Sequence, residues 1–224
     1  AQKRPLPEAF AEDAEAVLPW SVGMEQDFLK EEGVDMLERM PELFWNLADN
    51  RPSELRWRFH NYITERFVRS FADVCGKIGN FAFFSCDNLV EIVAPNVTEL
   101  GTASFGECFG MRTFSAASLT VVGDYAFSSC SSLEYINWGN GIKSIGESAF
   151  SGCAKLSSVE FPQNLNELGG NSFSGCTSLK SVSIPHGVKN IWTDTFAGCS
   201  SLETVTFSEG LELIGNNAFL CCSA

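Results

Sequence analysis

Apolar residues follow two patterns along the chain. From Ile78 onward they come in blocks of fixed period; before it they lie at helical spacing or in no regular order. The periodic part is marked by Phe83, Phe105, Phe127, Phe150, Phe173, Phe196 and Phe219. A cysteine follows each of these three residues later, and successive cysteines from Cys86 to Cys222 are 22, 22, 23, 23, 23 and 23 residues apart. Three residues further on stands a leucine, or Met111 in the second block, as far as Leu202. A fixed period of this size predicts a solenoid, in which each repeat is a coil that buries its apolar face only against its neighbours.

The coils run 78–99, 100–121, 122–144, 145–167, 168–190 and 191–213, with a partial coil from 214. Each starts with an apolar residue and glycine, as in Ile145-Gly146, and then carries the Ala/Ser-Phe turn and its cysteine. A strand of the form Leu-x-x-Val-x-apolar is expected next, at Leu156–Phe161, Leu179–Ile184 and Leu202–Phe207, followed by a turn with Pro162, Pro185 or Gly139-Asn140-Gly141. In the sixth coil Trp192 stands where the others have glycine, so a positive backbone angle there would be strained.

The first 77 residues are organised differently. Residues 1–23 are rich in Pro, Ala and Glu and read either as an arm anchored by Leu18 and Trp20 or as a disordered tail. Residues 24–77 read as a helical cap. Short helices at 24–40 and 41–48 break at Pro41, and a longer helix spans 53–75. Ser53 suits its N-cap, Leu55, Phe59, Ile63, Phe67, Phe71 and Val74 form its apolar stripe, and Gly76 ends it. With no linker before Ile78, this helix would cover the first coil. Arg56, Arg58, Arg66 and Arg69 lie off the stripe, as a solvated face or a basic contact patch.

Charge narrows the partners. The net charge is -13, with acids in excess in both halves. A field of that sign disfavours nucleic acid and anionic membrane as the main partner. No apolar run is long enough for a transmembrane helix, which leaves peripheral membrane association open. The chain starts at Ala1 and ends inside a repeat, so the expectation is a processed N-terminus, pointing to an organelle or export, and a solenoid that continues or is covered by a partner. The nine cysteines are expected as packed thiols, with cross-coil disulfides and the redox compartment left open.

The pattern Ile-Gly-x-x-Ala-Phe-x-x-Cys-x-x-Leu-x-x-Val-x-Ile-Pro resembles the BspA-like (Treponema-type) leucine-rich repeat. Ile145 to Pro162 fits closely, Leu168 to Pro185 fits with Ser172 for Ala, and Val122 to Trp138 also fits. The resemblance covers 78–224 and implies a parallel, right-handed solenoid with one strand per coil on a concave sheet. With the cap, the expected class is α+β. Members of the family occur on bacterial surfaces and in protists, mostly as binding or adhesive modules.

Strand alternation and the geometry implied by the resemblance turn one set of side chains outward. Down the sheet these are Val90, Glu91 and Val93; Arg112, Thr113 and Ser115; Glu134, Tyr135 and Asn137; Ser157, Ser158 and Glu160; Lys180, Ser181 and Ser183; Glu203, Thr204 and Thr206. This face is the expected protein-binding surface, most distinctive where Val90, Val93 and Tyr135 make it less polar. No catalytic constellation, cofactor loop or paired Cys-x-x-Cys metal spacing is legible. The expectation is a non-catalytic interaction or scaffold protein, in its finer form an accessory subunit of an organellar or membrane-associated assembly. The alternative is a secreted adhesin or receptor module, for which Asn96-Val97-Thr98 supplies a glycosylation sequon.

Overall fold

Two extended runs and a tight turn make up each coil. The computed structural model describes residues 76–87 and 89–223. The predicted arm at 1–23 and helical cap lie outside the described residues, apart from Gly76 and Lys77, and among the described residues there is no helix. The α part of the expected α+β class is therefore not seen; what is seen is a parallel β-solenoid.

Long strands stack on one side: β2 (Glu91–Val93), β4 (Thr113–Ser115) and β6 (Tyr135–Asn137), then β9 (Ser181–Ile184) and β11 (Thr204–Phe207). Two-residue strands stack on the other: β1 (Lys77–Ile78), β3 (Glu99–Leu100), β5 (Val121–Val122), β7 (Ser144–Ile145), β8 (Glu167–Leu168), β10 (Asn190–Ile191) and β12 (Leu213–Ile214). All pairings are parallel and in register, for example Phe114 opposite Ile136 and Val122 opposite Ile145. Most described coils thus carry two strand runs: the resemblance implied one per coil, and the residue pattern itself predicts the second as a short extended run before the next glycine.

The turn between them is a run of overlapping bonds. In the first coil the amides of Ala82, Phe84 and Cys86 donate to the carbonyls of Gly79, Phe81 and Phe83. Its other amides cross to the next coil: Phe81 to Thr102, Phe83 to Ser104 and Ser85 to Gly106, at 2.7, 2.7 and 2.8 Å. Two residues per turn adopt left-handed angles, five and one before the cysteine. The later coils meet the second requirement with Gly152, Gly175 and Gly198, and the earlier ones strain Ser85, Glu107 and Ser129 into it.

Aromatic rings fill the interior. The Phe column runs from Phe83 to Phe219 with consecutive ring centroids 5.1 to 5.7 Å apart and planes within 17° of parallel. Phe83 to Phe196 are fully buried. A second aromatic column packs edge-on against the first, and it moves with coil length. In the 22-residue second coil it is Phe114 at the centre of the strand, with small Ala116 at the strand's end. In the longer third and fourth coils the ring has shifted to that end position, as Trp138 and Phe161.

Two ladders are interrupted, and each interruption corrects an expectation. The predicted strand at Leu156–Phe161 does not form. By the pattern Ala94 N to Ser115 O and Ala116 N to Asn137 O, the Glu160 carbonyl should accept from the Trp138 backbone. It accepts instead from the Trp138 indole Nε1, at 3.0 Å, where the ladder is missing. On the other side β8 and β10 do not pair. No glycine at the Trp192 position has a positive φ; the constraint there is close approach between coils. A Cβ on Gly146 would lie 2.4 Å from the Asp124 carboxylate oxygen and 2.6 Å from the Asp124 amide nitrogen. Trp192 carries such a Cβ, and the ladder parts at that coil.

Candidate functional site

The long strands present their outward side chains in three columns. Glu91, Thr113 and Tyr135 are adjacent by register, as are Val93, Ser115 and Asn137. All the candidate residues on this face are exposed or half-buried, while Leu89, Ile92, Phe114, Leu133 and Val182 point into the core. Because coil 4 has no ladder there, the face divides in two. Ser157, Ser158 and Glu160 sit on the irregular run between the parts, exposed.

The first part, over β2, β4 and β6, combines apolar and charged groups. Tyr135 is 55% exposed on β6, the outer strand on one side, Val90 and Val93 are exposed along β2 on the other, and Arg112 pairs with Glu134 at 3.5 Å. Asn137 donates through Nδ2 to the Ser115 hydroxyl at 3.4 Å. An exposed Tyr beside an Arg supplies the residue types that carry most binding energy in protein interfaces. The second part, over β9 and β11, offers Lys180, Ser181, Ser183, Glu203, Thr204 and Thr206, all exposed and without an aromatic group.

Behind this face lies the cysteine column. Each thiol from Cys108 to Cys222 donates to the carbonyl of the Phe in the preceding coil, Cys108 to Phe83 at 3.0 Å and Cys153 to Phe127 at 3.2 Å. The described cysteines are all free. Burial pushes the Cys108, Cys153 and Cys176 thiols well up, and Cys199 up to about 12. These are protonated, packed side chains and poor nucleophiles. Among the described residues no group of three His, Cys, Asp or Glu side chains could hold a metal, and no helix is long and apolar enough to cross a membrane.

Leu18, Trp20, Arg56, Arg58, Arg66 and Arg69, the expected arm and cap contacts, lie outside the described residues. Sequence reasoning missed a second set of exposed aromatics, Phe109, Tyr125 and Trp192, on the side of the Phe turns. Their signal was available: each is an aromatic residue off the periodic Phe column.

A family model for the BspA-type leucine-rich repeat region, in six copies, matches residues 65–140 and 120–224. Among solved structures, a leucine-rich repeat protein of T. pallidum is 28% identical, with TM-score 0.61 over 66% of this chain and 70% of that one. One from Eubacterium ventriosum is 23% identical, with TM-score 0.56 over 67% of this chain and 44% of that one. One from Bacteroides ovatus is 26% identical over 67% of this chain and 57% of that one, with TM-score 0.40. No curated protein matches.

Proposed function

The chain belongs to the BspA-type leucine-rich repeat family, and from that premise we propose that it is a non-catalytic protein–protein interaction or scaffold protein whose long-strand face receives the partner. Repeats of this family typically serve protein–protein interaction or surface binding, and no catalytic family is indicated. The observation that carries the reading is the patch over β2, β4 and β6, where exposed Tyr135, Val90 and Val93 share one face with the Arg112–Glu134 pair. Leu18, Trp20 and the arginines at 56, 58, 66 and 69 are a second set of contacts in this reading, and residues 24–77 cover the first coil. An accessory-subunit role in a larger assembly is its finer form.

Capture from native extract tests it. Tyr135→Ser with Arg112→Ala should cut recovery of the wild-type partner at least about tenfold, the usual loss at an interface hot spot. Unchanged recovery would remove the long-strand face from the account. The secreted-adhesin reading draws on one observation of its own: Asn96, in the Asn96-Val97-Thr98 sequon, is exposed in the turn after β2. It expects glycan at Asn96 in the native protein, and a peptide map showing bare Asn96 would count against it.

A further inference from the structure

We infer that the turn side of coils 3 to 6, away from the long-strand face, docks a Lys/Arg-rich segment of a protein partner in extended form. The inference starts from Trp192. It occupies a position where its counterparts are glycine, it is 48% exposed, and the β8–β10 pairing is missing beside it. Gly170, in the neighbouring coil, packs beside it: a Cβ there would lie in ordinary contact, 3.6 Å, with the Trp192 Cβ. A residue that breaks a local rule of its fold and gains no burial in return marks a functional position. Tyr125 stands on the same side, 43% exposed, three coils earlier. At about 4.8 Å per coil the two positions are on the order of 14 Å apart along the solenoid axis, a span that about four extended residues cover.

Charge decides the partner. In the described coils, the stretch from the short strand through the Phe turn to the residue after the cysteine holds Asp87, Glu99, Glu107, Asp124, Glu147, Glu167 and Asp194. Its one base is Lys77, held by Glu99 at 2.6 Å. Of the other described bases, Arg112 and Lys180 lie on the long-strand side, Lys143 and Lys189 stand just before β7 and β10, and Lys155 stands in the turn before the fourth coil's long-strand run. The stretch that carries Tyr125 and Trp192 is itself strongly acidic, with seven acids to one base.

The acids next to the rings are available. Asp124 adjoins Tyr125 and accepts only the Glu147 amide, at 2.8 Å; Glu147 and Asp194 make no ion pair among the described residues. A guanidinium stacks on an aromatic face and pairs with a carboxylate near it, and this side carries both residue types twice, Tyr125 next to Asp124 and Trp192 two residues before Asp194. Nucleic acid and anionic lipid are repelled by the same field.

The test is fluorescence anisotropy of a labelled nonaarginine peptide against the full 224-residue chain, at low and physiological salt. Glu147→Gln with Asp194→Asn should weaken binding about tenfold at low salt. Glu209→Gln with Glu212→Gln, which removes the same charge elsewhere, should leave it within about twofold. Trp192→Leu, which keeps an exposed apolar side chain without the π face, should weaken it about fivefold. The inference is overturned if the peptide does not bind, if both charge pairs weaken binding equally, or if Trp192→Leu binds as wild type. None of these substitutions touches the long-strand face, so the outcome is independent of the reading proposed for that face.

Discussion

A thiol suits the cysteine column better than its neighbours in size. The site is fully buried from Cys108 to Cys199, so it favours a small apolar group, and a Phe carbonyl of the preceding coil lies within reach of one weak donor. The hydroxyls in the adjacent buried column are less uniformly placed: Ser104 and Ser172 find no acceptor there, while Thr195 donates to the Trp192 carbonyl at 2.9 Å. Ionising these thiols would place charge in the core. Unfolded thiols ionise near 9.0, whereas burial holds Cys199 up to about 12 and Cys108, Cys153 and Cys176 well up. The folded state keeps its protons longer, so this stabilisation is complete below pH 9 and is lost as pH rises from 9 toward 12 and beyond. Urea unfolding midpoints should be flat from pH 6.5 to 8 and fall steeply above 9.5; a midpoint unchanged at pH 11 would contradict the column's role. The periodic cysteine showed a packed thiol in the sequence. Its bond to a carbonyl one coil away was not legible, because that partner is set by how coils stack.

At the scale of the element, two substitutions mark where ladders are interrupted. Gly146 and its counterparts let adjacent coils meet backbone to backbone. Gly146→Ala should cost about 3 kcal/mol or more, because the methyl group meets Asp124 backbone that cannot give. Chemical denaturation reads that loss, and a cost under about 1 kcal/mol would mean that the coils spread freely. Trp192 shows the natural form of the same conflict, at the price of one strand pairing. The strands of the first, second, third, fifth and sixth coils were legible from alternation, and so was the outward set on them. The fourth was not, because the Leu-x-x-Val pattern is intact at Leu156–Val159; what differs there is that the Glu160 carbonyl accepts from the Trp138 indole, one coil earlier. Likewise the second aromatic column reads as scattered rings in the sequence, until Phe114, Trp138 and Phe161 are seen packing edge-on against the same stack.

Over the whole molecule, coils stabilise one another in series. Phe150 contacts Phe127 and Phe173 in the stack and Trp138 at its edge. Phe150→Ala should cost about 3 to 5 kcal/mol, and amide exchange should quicken in the third and fifth coils as well as the fourth. A change confined to the fourth coil would contradict that coupling. The same serial architecture gives the chain two distinct faces. One carries Tyr135 with the Arg112–Glu134 pair, and the other carries Tyr125 and Trp192 in a strongly acidic stretch. The sequence revealed the first face, because strand alternation assigns each side chain a direction; turn residues have no such alternation. Hydroxyl-radical footprinting of the chain, free and with its captured native partner, tests the central claim most directly. The account predicts that Tyr135 loses most of its labelling in the complex, with Val90 and Val93 following. Full labelling of Tyr135 in the complex would contradict it.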